Sequence, residues 1–195
     1  MSKKVIGLTG NIASGKSAVT SYLIKLGYLV IDTDKITQDI YENDSFFKEQ
    51  MQLLFSESII KNSRIDKKAV AKIVFNDPIK MQQLNMLIHP LIKEKTIAVI
   101  NDNDGLIFVD APLLFEAGFA DIVEQTIVVV ASEKVRLSRI KERDKLSDEE
   151  AMNRIKSQMS QEEKIKKSQF IIYNDTSFEE LYHQVDDILN KILSI

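Results

Sequence analysis

The chain contains no cysteine in its 195 residues, so it has neither a disulfide framework nor a zinc–thiolate site. That composition suits a cytoplasmic address. No apolar run approaches the ~18 residues of a membrane span. The first run, 5–9, is too short for a signal core and ends in a glycine-rich turn instead of a cleavage site; no membrane association is expected. An excess of basic charge is also missing. The formal net charge of -3 argues against a surface that coats nucleic acid. Internal repeats, low-complexity tracts and flexible linkers are absent as well. What remains is 44% hydrophobic and 28% charged, enough for one packed core carrying an insertion.

Five short apolar runs rich in Val and Ile stand out at 5–9, 29–31, 106–109, 126–130 and 170–173. They alternate little between apolar and polar, as strands buried on both faces of a parallel sheet do. Helical stretches separate them, so an α/β class with covered sheet faces is expected. The first helix should begin near Gly15 and carry Val19, Leu23 and Leu26 on one face, with Gly27 closing it in a left-handed cap. About seventy residues separate Asp34 from Gly105, far more than one crossover helix needs. This interval predicts a helical insertion over the sheet's carboxyl edge, with helices at 36–42, 46–55, 67–75, 79–87 and 91–101. Asp77-Pro78 and His89-Pro90 are read as breaks, because the residue before proline is pushed out of the helical region. The stretch 133–167 alternates Lys/Arg with Asp/Glu and predicts a helix pair.

The segment Gly10-Asn11-Ile12-Ala13-Ser14-Gly15-Lys16-Ser17 follows a predicted strand and opens a predicted helix. That is the context of a phosphate-binding P-loop. Small residues let backbone N–H groups wrap a polyphosphate, and the helix start adds donors and a positive dipole end. Lys16 would reach the β- and γ-phosphates of ATP, and the Ser17 hydroxyl would ligate Mg2+. Asn11 tolerates positive φ better than most residues. Ala13 is expected to need no glycine-like conformation.

Asp32 and Asp34 lie two residues apart at the end of the second run. In an extended chain both carboxylates face one side. One carboxylate would take the proton of an attacking hydroxyl while the other holds Mg2+ through water. Asp34 is assigned as base and Asp32 as the metal-side partner. The competing reading makes Asp34 the N-cap of the helix that follows. Asp110 ends the third run, where a Walker-B carboxylate holds the Mg2+ shell; a turn aspartate before Ala111-Pro112 is the alternative.

Arg136, Arg139 and Arg143 form one stripe on a helix and repel each other unless an anion lies between them. A lid closing over a transferring phosphate would supply that anion. Neutralisation by Glu133, Glu142 and Asp144 is the other explanation. Arg154 and Gln158 weakly extend the lid reading.

The combination of these segments resembles dephospho-coenzyme A kinases over nearly the whole chain. The P-loop is similar to theirs from Gly7-Leu8-Thr9-Gly10 through Lys16-Ser17, as are Val30-Ile31-Asp32-Thr33-Asp34 and Leu87-Ile88-His89-Pro90. So are Asp110-Ala111-Pro112-Leu113-Leu114-Phe115-Glu116, Arg139 with Arg143-Asp144, and Arg154-Ile155 with Gln158. The chain departs from the family where Asn11, Ala13 and Lys145 replace common glycines, at Ser168-Gln169 in place of alanine-aspartate, and at Asp175 in place of a glycine.

The resemblance implies a three-layer P-loop kinase fold with a five-stranded parallel sheet, a helical substrate-binding insertion and a helical lid. In residue terms the nucleotide-binding core would be 1–35, 103–132 and 168–195, the CoA-substrate domain 36–102 and the lid 133–167. The implied activity is transfer of the ATP γ-phosphoryl group to the ribose 3′-hydroxyl of dephospho-CoA, the last step of coenzyme A biosynthesis. ATP and Mg2+ would be used by a monomer or small homo-oligomer. Asn174 falls where the family has an asparagine near the nucleotide base. His89 would approach the substrate pocket, or else pack before a turn proline. Asp32, Asp34, His89 and Asp110 would face the acceptor, with Lys16, Asp34, Arg139 and Arg143 serving catalysis. A kinase of another small hydroxyl acceptor, such as a nucleotide, nucleoside or shikimate, shares the P-loop and lid. A regulatory ATPase switch shares only the P-loop. A guanine-specific switch would need an Asn-Lys-x-Asp motif, and Tyr173-Asn174-Asp175 lacks its lysine.

Overall fold

The computed structural model describes residues 3–56, 59–62, 64–145 and 147–194. It divides into two compact units, Met1–Ile31 with Asn103–Ile195, and Asp32–Asp102.

The first unit is built on β1 (Lys4–Gly10), β2 (Leu29–Asp32), β5 (Leu106–Asp110), β6 (Gln125–Val130) and β7 (Phe170–Tyr173). They form one parallel sheet in the order β2-β5-β1-β6-β7. β1 lies in the middle, with Lys4 beside Leu106 and Ile6 beside Gln125. Such a position is covered on both faces, which explains why β1 is apolar without alternation. The apolar runs therefore do form the parallel sheet. Helix α1 (Lys16–Lys25) and helix α9 (Phe178–Leu193) pack Val19, Leu23, Leu181, Val185 and Ile192 against Ile6, Leu8, Phe108 and Ile172. Leu26 is not on that face. The helix ends at Lys25, and Leu26 is 44% exposed as its C-cap. Gly27 follows at φ 89° and closes the turn with its N–H on Ile24 O, 3.0 Å.

The charged stretch 133–167 forms three helices, not a pair: α6 (Glu133–Asp144), α7 (Asp148–Lys156) and α8 (Gln161–Lys167). Ser147 and Ser160 each make a reciprocal capping box, with Glu150 and Glu163 respectively. Each box satisfies orphan amides and so starts a new helix.

The second unit holds α2 (Thr33–Asn43), α3 (Ser45–Phe55), a short hairpin of β3 (Ile60–Lys61) and β4 (Arg64–Ile65), α4 (Lys67–Asn76) and α5 (Pro78–Asn101). The hairpin was not expected, since two-residue strands leave no periodic signal. Each helix is N-capped by an aspartate: Asp32, Asp44, Asp66 and Asp77 accept from amides of the following first turn. Asp77-Pro78 is a break, with Pro78 in the first turn where its missing N–H costs nothing. His89-Pro90 is not. Helix α5 runs unbroken for 24 residues through Pro90. Its buried stripe Leu84, Ile88, Ile92, Thr96 and Ile100 continues on both sides of the proline, so packing outweighs the lost backbone bond. Phe47 and Met51 of α3 and Ile40 of α2 are fully buried in this unit's own core. No described helix is long and apolar enough to cross a membrane.

If the helix is continuous, Pro90→Ala should restore an intrahelical hydrogen bond at an exposed site. We expect stabilisation of about 1–3 kcal/mol in urea unfolding; a loss of stability would place a turn at this position.

Candidate active site

β1 delivers the chain into the loop 10–17, and α1 takes it away. The first-turn amides of Lys16 and Ser17 precede the intrahelical ladder and remain available to an anion. Gly15 is in the left-handed region at φ 94°, and a side chain there would collide with Asn174 Nδ2. Only glycine meets both demands. Ala13 also has positive φ, 61°, contrary to expectation. An L-residue is strained there. Asn11 is not among the residues with positive φ. Its side chain instead donates to Met159 O at 2.7 Å.

The loop's carbonyls are held from behind. Arg136 Nε donates to Ile12 O at 3.2 Å, and Arg139 Nη1 to Ala13 O at 3.3 Å. Asn174 Nδ2 donates to Ser14 O at 2.8 Å, while Arg139 Nη2 donates to Asn174 O at 3.1 Å. Gln158 Oε1 accepts the Ile12 N–H at 2.8 Å. Arg136 is buried, and that desolvation pushes its pKa down while Glu133 and Glu162 oppose the shift.

The stripe of arginines is therefore divided. Arg136 and Arg139 bind the loop's backbone. Arg143 turns to Asp144, which accepts from its Nε at 2.8 Å and from Arg154 Nη1 at 2.7 Å. The hydrogen bond to Asp144 holds the Arg143 pKa above its ordinary value. Arg143 thus bonds to Asp144, and Arg136 and Arg139 to the loop.

Lys16 Nζ is paired with Asp110 Oδ1, and Thr20 Oγ1 donates to Asp110 Oδ2 at 2.6 Å. Asp110 is buried at the end of β5, so it is not a simple turn aspartate. Ser17 is exposed at the start of α1.

In the second unit, Asp32 Oδ1 accepts the N–H groups of Asp34 and Lys35 at 2.9 and 3.2 Å. The N-cap is therefore Asp32, and Asp34 lies exposed in the first turn of α2. The helix begins at Thr33, so the two carboxylates do not follow extended-chain alternation. His89 is half-buried within α5, and desolvation lowers its pKa. A groove of about 410 Å³ lined by Lys35, Ile36, Asp39, Lys95, Ala98 and Val99 begins one residue beyond Asp34.

Two side chains escaped sequence reasoning. Thr20 carries no motif signal. Lys164 is wholly buried yet sits in Gln161-Glu162-Glu163-Lys164-Ile165-Lys166-Lys167, where alternating charge gives no hint of an inward face. Of the departures from family pattern, Gln169 Oε1 accepts the Thr126 N–H at 2.8 Å, and Asp175 Oδ1 accepts the Ser132 N–H at 2.7 Å. Lys145, like Ala13, has positive φ, 53°.

Part of the buried hydrogen-bonding capacity beside the loop fits a phosphorylated ligand. Asn11 Oδ1, Ser14 Oγ and Arg136 Nη2 are buried without a hydrogen-bond partner among the described residues. Ser14 Oγ and Arg136 Nη2 can donate to phosphate oxygens, whereas Asn11 Oδ1 is an acceptor and would need a donor. Among the described residues no three carboxylate or imidazole groups converge on a metal site. Because Ala13 is strained, Ala13→Gly should stabilise the fold by about 1 kcal/mol in urea unfolding. An unchanged or lower midpoint would mean that position 13 does not hold positive φ.

The model of the family described as dephospho-CoA kinase matches residues 4–180. A dephospho-CoA kinase of Fusobacterium nucleatum is 42% identical over 98% of this chain and all of its own length. The dephospho-CoA kinase structure from Campylobacter jejuni superposes with a TM-score of 0.72 at 31% identity, covering 96% of both chains. A shikimate kinase structure from Aquifex aeolicus covers 96% of this chain and 95% of its own at TM-score 0.54, but at 18% identity it shares the fold alone. With the phosphate loop, the Lys16–Asp110 pair, the family match and the near full-length dephospho-CoA kinase relatives together, the chain belongs to the dephospho-CoA kinase family.

Proposed function

We propose that this chain transfers the γ-phosphoryl group of ATP to the ribose 3′-hydroxyl of dephospho-CoA, giving CoA and ADP. The observation that carries the reading is the braced phosphate loop, with Lys16 held beside it, in a chain of this family. Phosphoryl transfer is mostly positioning and charge neutralisation, and the loop is built for both. Lys16 stands opposite the β- and γ-phosphates. An incoming polyphosphate competes with Asp110 for the ammonium group and releases a carboxylate oxygen. Mg2+, held by Ser17 and Asp110 with Asp32 as an outer partner, would neutralise charge on the phosphates.

Asp34 is the base in this reading. It takes the proton of the 3′-hydroxyl, the oxygen bonds to the γ-phosphorus, and the bond to the β–γ bridging oxygen breaks, releasing ADP. Support for Asp34 comes from its exposure in the first turn of α2, with the capping duty carried by Asp32. The adjoining groove suits part of an organic acceptor, with Lys95 and Asp39, 3.4 Å apart, at its rim.

The unit Asp32–Asp102 is proposed as the acceptor-binding domain, with His89 on the substrate side. Residues 133–167 are proposed as the lid: Arg139 supports the loop and Arg143 is the arginine free to exchange Asp144 for phosphate. Asn174, joined to Ser14 and Arg139, is proposed to border the nucleotide base.

A coupled ADP assay tests the function. Dephospho-CoA should raise ADP formation well above the acceptor-free rate, whereas adenosine, AMP and shikimate should not. No stimulation by dephospho-CoA would reject the assignment, and stimulation by another acceptor would name the neighbouring kinase. Asp34→Ala should lower transfer by at least about a hundredfold while leaving ATP binding intact. Wild-type turnover in that variant would remove Asp34 as base.

A further inference from the structure

Lys164 lies on α8 with its side chain wholly out of solvent. A buried ammonium is costly unless its donors are satisfied and its charge is paired. Lys164 Nζ meets both needs: it donates to Pro112 O at 2.6 Å and forms an ion pair with Glu116 Oε1 at 3.0 Å. Burial pushes its pKa down, Glu116 opposes that, and the nearby charges of Lys16 and Arg136 add to the depression. Lys16 of the phosphate loop and Arg136, which holds Ile12 O, are thus among the charges that act on this ammonium.

Its two partners both lead to the entrance of that loop. Pro112 O also accepts from Thr9 Oγ1 at 3.2 Å, and Thr9 immediately precedes Gly10. Glu116 Oε1 also accepts the Met159 N–H at 3.2 Å. Met159 O in turn accepts from Asn11 Nδ2, and the neighbouring Gln158 accepts from Ile12 N–H. Lys164 is thus the shared node of one path to Thr9 and another to Asn11 and Ile12. Three rotatable donors on one ammonium suit such a node, and an apolar residue of equal length would remove the donor that Pro112 O and Glu116 Oε1 share.

We propose that Lys164 is a positioning residue for nucleotide binding, setting the loop entrance Thr9–Ile12 through Pro112 and through Glu116–Met159. The proposal rests on the reading of 10–17 as an ATP-phosphate loop. It predicts that Lys164 acts on ATP and not on the acceptor.

Calorimetric titration of ATP and ADP into the full chain tests this, with circular dichroism and thermal melting as controls for folding. In folded protein, Lys164→Met should raise the ATP dissociation constant by roughly tenfold or more, with the KM for dephospho-CoA within about twofold of wild type. Glu116→Ala should shift ATP affinity in the same direction. The double variant should bind within about twofold of the weaker single, because both remove one network. A merely structural role would lower the melting temperature and leave the affinity of the folded protein unchanged, which would overturn the proposal. Multiplying effects in the double variant would also overturn it. If Lys164→Met does not fold, Glu116→Ala decides alone, and wild-type ATP affinity in it is contrary. A wild-type chain that binds no ATP would instead sink the phosphate-loop reading itself.

Discussion

A loop that turns backbone N–H groups toward an anion must leave its carbonyls facing the protein, and those carbonyls need donors. This constraint organises much of the first unit. Ile12, Ala13 and Ser14 offer their oxygens to Arg136, Arg139 and Asn174. Side chains from α6 and from the end of β7 are thereby committed to one eight-residue turn. The guanidinium groups satisfy acceptors and also leave positive charge behind the cradle, where it favours a polyphosphate. Gly15 is the counterpart of this bracing: Asn174 approaches so closely that no side chain fits.

The same turn explains where charge is stored. Lys16 is neutralised by a buried aspartate whose second oxygen is held by Thr20. A lone buried carboxylate would be expensive, and the pair removes that cost. The ion pair also links α1 to the carboxyl end of β5, so the phosphate loop and the segment 110–116 are tied at one point. In the second unit a single device is repeated four times, an aspartate capping each helix, and the cap of α2 is Asp32, not Asp34.

Much of this was legible in the sequence where one local rule governs. The apolar runs 5–9 and 106–109 gave buried parallel strands because no competing pattern exists there, and the glycines of 10–17 announced the turn. Legibility failed where tertiary packing overrode a local rule. Proline 90 signals a break, yet the stripe from Leu84 to Ile100 carries α5 through it. Arg136, Arg139 and Arg143 form one stripe by spacing, but the loop carbonyls take two and Asp144 takes the third. Asp32 and Asp34 would face one side of an extended chain, yet the capping geometry starts the helix between them. Ala13 adopts positive φ against its preference because the loop demands it. Lys164 left no trace, since periodicity over a seven-residue charged helix says nothing about which cation turns inward.

The central claim is that the phosphoryl group goes to a ribose hydroxyl and not to water. Phosphorus NMR of a reaction containing ATP and dephospho-CoA tests it most directly. The account predicts one new phosphomonoester resonance, coupled to the ribose H3′ and equal in amount to the ADP formed. Orthophosphate appearing in that amount, with the acceptor's spectrum unchanged, would contradict it.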